Sequence, residues 1–128
     1  MAYYFSKTVT GNWAQTKEKV AEALKEEGFG ILTEIDMQAT LKKKLDVTLR
    51  PYLILGACNP TFAYEALKAE KNIGTMLPCN VIMQETGNGN IEVSAVDPVA
   101  SMQAVENKSL ESIATQVRGK LQRVIERL

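Results

Sequence analysis

Hydrophobic and polar positions alternate along this chain with two different periods. Runs of period two predict strands, because successive strand side chains face opposite sides of a sheet. They occur at residues 3–9, 31–37 and 91–95. Spacings of three and four predict helices, and these occur near residues 13–27, 37–45, 60–70 and 110–128. The pattern therefore predicts strands and helices interleaved along the chain.

The last helix has the clearest pattern of the chain. Six apolar residues recur over about five turns, namely Leu110, Ile113, Val117, Leu121, Val124 and Leu128. Such a stripe predicts packing on the sheet of the same chain. A dimer seam of coiled-coil type is the alternative interpretation.

The segment Tyr52–Cys58 is apolar or glycine throughout. An uninterrupted apolar run of this length predicts a central strand that is covered on both faces. Asn59 and Pro60 follow directly. An asparagine side chain can cap a helix N-terminus, and proline suits the first helical position. We therefore expect Cys58 at a corner between a strand and a helix.

Turn signals mark further boundaries. Asn12 is predicted to cap the first helix, and Gly28 to end it in the left-handed conformation. Residues 77–84 predict another strand. The segment 86–90 is dense in glycine and asparagine, so it predicts a hairpin to the strand at residues 91–95. One helical turn is expected near residues 100–105.

Length and charge exclude several classes of protein. The 128 residues suit one domain, residues 1–128, and are too few for two independent cores. The 15 basic and 15 acidic side chains cancel, so no overall field attracts nucleic acid, and we expect none as a partner. No run approaches the roughly 18 apolar residues of a membrane span, and the polar N-terminus lacks the apolar core of a secretion signal. We expect a cytoplasmic protein without a membrane partner.

Histidine is absent from the sequence. The commonest metal ligand and the commonest general base near neutral pH are therefore missing, which excludes most catalytic triads and most zinc sites. The two cysteines are too few for a disulfide scaffold, and a reducing compartment would keep them as thiols. We predict no cofactor.

Two short segments share the same chemistry. Gly56–Pro60 and Leu77–Val81 each hold a Cys-Asn pair beside a proline. With their flanking residues, as Ile54–Pro60, Ala63–Leu67 and Ile73–Val81, these segments resemble the uncharacterised bacterial and archaeal family called domain of unknown function 302, in which leucine is usual at the position of Met76. The resemblance extends from the first strand into the final region. It implies an α+β domain in which a largely antiparallel sheet of about five strands packs against helices. It also implies frequent homodimers and no established activity.

The two thiols permit several interpretations. Cys58 precedes a predicted helix N-terminus, where backbone N–H groups and the helix dipole stabilise a thiolate, so a reactive or ligand-binding thiol is one hypothesis. Burial as ordinary packing is the other, since free cysteine is among the most buried residue types. If Cys58 and Cys79 converge, two thiolates supply half of a tetrahedral metal site. We predict no metal, and an oxidised pair stays open.

Four polar residues complete the set of candidates. Asn59 and Asn80 can bond the backbone at corners, or they can line a pocket for an anion or a carboxylate with Arg50 and Lys44. A run of lysines beside an apolar stripe is usually a solvated face, which is the alternative interpretation of Lys44.

These residues give three functional hypotheses. The first is a homodimeric domain that binds or senses a small molecule, with a pocket around the two Cys-Asn pairs. The second is an enzyme or redox protein that uses Cys58, with Lys44 or Arg50 in place of the missing histidine. The third is a structural or interaction module without chemistry, which exposed apolar surface on the last helix would favour.

Overall fold

The computed structural model describes residues 2–128, which form one antiparallel sheet and a set of helices. The strands are β1 (Tyr4–Thr10), β2 (Gly30–Asp36), β3 (Tyr52–Cys58), β4 (Cys79–Gly87) and β5 (Asn90–Val96), in the order β1-β5-β4-β3-β2. The helices are α1 (Trp13–Glu26), α2 (Met37–Leu45), α3 (Pro60–Ala69), α4 (Pro98–Ser101) and α5 (Lys108–Glu126), with a 3₁₀ turn at Ile73–Met76. The α+β class, the five-stranded antiparallel sheet and the long C-terminal helix are confirmed.

The core lies on one face of the sheet. Leu55, Val81 and Val93 project from three neighbouring strands and are fully buried. They pack in one cluster with residues of α1 and α5 that include Leu24 and Leu121. The apolar stripe of α5 is therefore covered within its own chain, by the sheet from Val117 onward and by α3 and the 3₁₀ turn at Leu110.

On the other face of the sheet, called the open face here, the large side chains of β3 are less completely buried. Leu53, Leu55 and Ala57 face the core and are buried, whereas Tyr52 and Ile54 on the open face are only partly buried; Gly56 on that face is buried beneath Thr33 and Pro78. The prediction that β3 is covered on both faces is wrong. The run of apolar residues is continuous because the open face also uses apolar side chains on this strand.

Most of the local turn signals are confirmed. The side chain of Asn12 accepts a hydrogen bond from the backbone N–H of Gln15 at 3.1 Å, and Gly28 has a φ of +86° after α1. The hairpin between β4 and β5 contains three consecutive residues of positive φ, Gly87–Gly89. These residues tolerate that conformation, so the sequence fixes the turn locally.

Two local predictions are wrong. The side chain of Asn59 does not cap α3, since its Nδ2 atom donates to the backbone carbonyl of Glu27 at 3.2 Å. The turn expected near residues 100–105 begins earlier, at Pro98, because the carboxylate of Asp97 accepts from the N–H groups of Val99 and Ala100. Within residues 2–128, no helix has the length and apolar character needed to cross a bilayer.

Candidate functional site

A pocket of about 280 Å³ lies where α3 and α5 meet the paired ends of β3 and β4. Four alanines contribute to its lining, Ala57, Ala63, Ala66 and Ala114. A methyl side chain at each of these positions leaves space that a leucine would fill. The space is therefore a consequence of small residues facing one another where two helices approach the sheet.

The walls of the pocket are mainly apolar. Phe62, Leu77, Ile113 and Val117 are among the larger side chains that line it. Two further lining residues are largely exposed, Leu32 at 67% and Leu67 at 46%. Solvent therefore reaches the pocket on the side where β2 and α3 lie.

The structure brings the two cysteines together at this pocket. Cys58 is the last residue of β3 and Cys79 the first of β4, and Cys79 pairs in register with Ala57. Both cysteines are free thiols and both line the pocket. Antiparallel pairing thus brings the end of β3 next to the start of β4, and Cys79 lies opposite Ala57, one residue before Cys58, although 21 positions separate the two cysteines in the sequence.

The two thiols lie in different environments. Cys79 is buried and Cys58 is partly exposed. Burial raises the pKa of the Cys79 thiol to about 11, and the nearby Cys58 adds to the rise because two negative charges repel. Cys79 therefore carries its proton near neutral pH. A protonated thiol is a poor nucleophile and a poor metal ligand.

Asn59 also lines the pocket, directly after Cys58. Its amide reaches across to the end of α1 through the hydrogen bond to the carbonyl of Glu27. This contact ties the start of α3 to the end of α1. Three of the residues proposed from the sequence, Cys58, Asn59 and Cys79, thus share one site, and their functional roles stay predictions.

Asn80, Arg50 and Lys44 lie elsewhere. Asn80 follows Cys79 within β4, so its side chain faces the opposite side of the sheet, where it is exposed. Arg50 precedes β3 and donates two hydrogen bonds to Gln84 Oε1, at 2.9 and 2.6 Å. β3 alone, from Tyr52 to Cys58, spans about 20 Å at roughly 3.3 Å per residue, and Arg50 lies two residues before its start. Lys44 is exposed on α2.

Metal-binding potential is limited to the two thiols. Among residues 2–128, no group of three or more histidine, cysteine, aspartate or glutamate side chains is arranged to hold a metal ion. Cys58 and Cys79 would need ligands from outside this chain to complete a site.

A cluster of charges lies beside the pocket and was not predicted from the sequence. Glu27 is buried and pairs with Arg123 at 3.0 Å and with Arg127 at 2.9 Å. The hydrogen bond from Arg123, aided by the charges of Arg123, Arg127 and Lys120, holds the pKa of Glu27 below its ordinary value against the effect of burial.

Lys120 joins this cluster to the pocket. Its Nζ atom lies over the ring of Phe62, 5.9 Å from the ring centroid, and Phe62 forms part of the pocket wall. The sequence offered one signal for the pocket itself: Ala63 and Ala66 lie three residues apart on α3, where a larger apolar residue would usually pack. It offered no signal for Lys120, because the contact depends on how α3 and α5 pack.

The fold and the site define a small α+β protein with an apolar pocket at one end of an antiparallel sheet. The chain belongs to the family described as Domain of unknown function DUF302, whose model matches residues 5–128. This confirms the resemblance seen in the sequence. The chain is also similar to the crystal structure of an uncharacterized conserved protein DUF302 from Bacillus stearothermophilus. The two are 26% identical with a TM-score of 0.91, covering 99% of this chain and 98% of the other. No curated protein matches the chain. The family has no assigned activity in these descriptions.

Proposed function

We propose that the protein binds a small, largely apolar molecule in the pocket beside Cys58 and Cys79. The observation that supports the proposal is a space of about 280 Å³ with apolar walls and access from solvent. An unfilled apolar space forfeits van der Waals contacts along its lining, so an apolar occupant gains them. The volume is near the lower end for small-molecule pockets, about 300 Å³.

Binding has more support than catalysis by Cys58. A cysteine nucleophile is commonly activated by a neighbouring base or cation. The two groups suggested for that role are distant from the thiol: Arg50 is held by Gln84 on the open face of the sheet, and Lys44 is exposed on α2. In this proposal the thiols of Cys58 and Cys79 act as weakly polar parts of the wall.

The test is calorimetric titration with octan-1-ol, an apolar probe of suitable size. Wild-type protein should bind it, and Ala63→Phe should weaken binding at least about tenfold, because the new ring occupies part of the space. Ala14→Phe is the matched control, since Ala14 is exposed on α1, away from the pocket. Circular dichroism checks that each variant folds. Absence of binding to the wild type, or equal binding to Ala63→Phe, would overturn the proposal.

We further propose that two copies pair through the open face of the sheet. Apolar side chains are uncovered there: Tyr4 is 39% and Ile35 45% exposed, and Ile82 is partly exposed on the central strand. Arg50 and Glu92 place opposite charges on the same face. With a net charge of zero, two copies do not repel each other overall, and a two-fold axis can place Arg50 of one copy opposite Glu92 of the other.

Light scattering during size-exclusion chromatography tests the pairing. The wild type should elute with the mass of two 14.1 kDa chains, and Ile82→Glu should reduce the mass to that of one chain, because it places a charge in the interface. Tyr64→Glu on the exposed side of α3 is the control and should stay dimeric. A wild type that is monomeric at about 50 μM, well above the Kd of a typical stable dimer, would contradict this proposal.

A cytoplasmic location is part of the same proposal. Two free thiols at adjacent strand ends persist best in a reducing compartment. Rapid trapping of cellular thiols with an alkylating reagent should label Cys58 without prior reduction. Recovery of the protein from cells as a disulfide-linked species would argue against the location.

A further inference from the structure

Lys120 carries a charge that the cluster around it does not balance. The cluster contains the cations Lys120, Arg123 and Arg127 and the carboxylates Glu26 and Glu27. Arg123 and Arg127 pair with Glu27, and Arg127 also pairs with Glu26 at 3.0 Å. Among residues 2–128, no carboxylate lies within 4 Å of Lys120 Nζ. One positive charge is therefore left beside Phe62, which forms part of the pocket wall.

The position of this charge relative to the pocket is defined by Phe62. The ring of Phe62 is half-buried, lines the pocket and carries the ammonium group of Lys120 over its face. Asn59, which also lines the pocket, lies near the same cluster through its bond to the carbonyl of Glu27. An elongated molecule with its apolar part in the pocket can thus present a polar end to Lys120.

The volume limits the length of the apolar part. A cavity of about 150 Å³ accommodates benzene. The pocket of about 280 Å³ therefore has room for roughly ten non-hydrogen atoms on the same scale. A linear chain of about eight carbons meets this limit.

We propose that the ligand of this pocket is an aliphatic monocarboxylic acid of about eight carbons, with its chain among the apolar walls and its carboxylate paired with Lys120. This inference depends on the proposed binding function and adds the chemical class of the ligand. Two features of the pocket favour such a ligand. The apolar walls favour the alkyl chain of the acid, and the unpaired ammonium group of Lys120 favours a negatively charged end over a neutral one. The negative charge of Glu27 opposes the anion weakly, because both arginines already neutralise it.

The test compares octanoate with octan-1-ol, which share a chain length and differ in charge. Each is titrated calorimetrically into the wild type, Lys120→Met and Lys108→Met at about 50 mM salt. Lys120→Met should weaken octanoate binding about fivefold, as expected for one partly exposed ion pair, and leave octanol binding unchanged. Lys108→Met is the control, because it removes the same charge from the other end of α5, twelve residues away, or about 18 Å at 1.5 Å per residue. It should change neither the affinity for octanoate nor the affinity for octan-1-ol. Lys120→Arg keeps the positive charge and should bind octanoate with an affinity close to that of the wild type.

Each alternative outcome has a distinct meaning. If neither compound binds the wild type, the binding function fails, and this inference fails with it. If octanol binds and octanoate does not, the binding function survives and the carboxylate assignment is wrong. If Lys120→Met weakens both compounds equally, Lys120 only supports Phe62 in the wall. If it weakens neither, the carboxylate is not held by Lys120. Both of these last results overturn the inference as well.

Discussion

Cys58 and Cys79 differ in exposure although they are neighbours in the sheet, and this difference predicts their reactivity. With a pKa of about 11, only about one Cys79 thiol in three thousand is ionised at pH 7.5, and the thiolate is the reactive form. The buried side chain is also inaccessible to a reagent. We expect iodoacetamide to modify Cys58 at least about tenfold faster than Cys79 in the folded protein.

Peptide mapping after timed alkylation measures the two rates. In about 6 M guanidinium chloride, where the protein is unfolded, both cysteines should react at similar rates, which controls for the neighbouring sequence. Faster modification of Cys79 than of Cys58 in the native protein would show that the pocket opens widely. The thiol of Cys79 would then not be the protected part of the wall described above.

Gly56 has a structural role that its position in β3 does not reveal from sequence. A Cβ atom added at this residue would overlap Thr33 Oγ1 and lie 2.8 Å from Pro78 Cγ. The backbone of Thr33 is paired in β2 and Cγ of Pro78 belongs to a ring, so relief requires a new rotamer of Thr33 together with a shift of the proline ring. We expect Gly56→Ala to lower the free energy of unfolding by about 1–3 kcal/mol, the usual cost of overpacking.

Urea denaturation measures this loss against a matched glycine in the neighbouring strand. Nothing lies within 4 Å of a Cβ atom added at Gly30, so Gly30→Ala should change the stability by less than about 1 kcal/mol. Equal stability of Gly56→Ala and the wild type would show that Thr33 and Pro78 accommodate the methyl group.

Residue-scale prediction from the sequence succeeded where the relevant neighbour is close in the chain. Cys58 and Asn59 lie at a strand end followed by a helix, as the Asn-Pro signal predicts. The positions of Asn80 and Arg50 depend on strand alternation and on pairing with distant residues. Asn80 faces away from Cys79 because successive side chains alternate. Arg50 bonds Gln84, 34 positions away, which no local pattern indicates.

At the scale of elements, the five strands and the helices α1, α2, α3 and α5 each have a sequence signal near their observed position, but the environment of a strand does not. The apolar run of β3 is compatible with a strand covered on both faces and with one whose open face is also apolar. Which of the two applies depends on whether a helix covers the second face. Helix starts show the same limit: Asn12 caps α1, whereas Asn59 bonds the distant carbonyl of Glu27 instead of capping α3.

The short helix α4 depends on a single carboxylate. Asp97 is buried; its Oδ1 atom accepts from the N–H of Val99 at 3.0 Å, and its Oδ2 atom accepts from Arg118 Nε at 3.2 Å. Asp97→Asn preserves an oxygen for the cap and removes the charge. Asp97→Ala removes both. We expect the free energy of unfolding to fall by about 0.5–1 kcal/mol in Asp97→Asn and by about 2 kcal/mol in Asp97→Ala.

Chemical denaturation of the two variants separates the cap from the ion pair. Arg118→Gln provides the control, because it removes the partner charge and leaves the cap intact; its loss of stability should be at least that of Asp97→Asn, since Arg118 also lies over the ring of Phe5. If Asp97→Ala is no less stable than Asp97→Asn, the cap does not contribute to the stability of α4.

At the scale of the whole molecule, the two faces of the sheet divide the protein into a packed side and an open side. The core, the pocket and the charge cluster lie on the packed side, and the polar contacts of Arg50, Gln84 and Glu92 lie on the open side. The sequence predicts the strands but not their order β1-β5-β4-β3-β2. Strand order and register together determine which residues meet on one face. The sequence alone therefore could not separate the candidates that lie at the pocket from those that lie elsewhere.

Glu27 connects the end of α1 to the end of α5 and makes the stability of the fold depend on pH. Its folded pKa is lowered, chiefly by the hydrogen bond from Arg123. A lowered folded pKa means that the unfolded chain binds the proton more readily. The ionised Glu27 carboxylate therefore makes its full contribution to the free energy of unfolding above the unfolded pKa near 4.5. It is lost as the pH falls from there through the folded pKa.

Glu27→Gln should therefore be less stable than the wild type by about 1–2 kcal/mol at pH 7, a value moderated by the partial exposure of both arginines. The difference should shrink progressively below pH 4.5. Urea midpoints between pH 3 and pH 8 measure it. Glu26→Gln is the control, because Glu26 is exposed and pairs with Arg127 alone in this cluster, so its effect should stay within about 0.5 kcal/mol. If the gap between wild type and Glu27→Gln is independent of pH, the carboxylate is not stabilised in its charged form. The junction of α1 and α5 would then be held by packing alone.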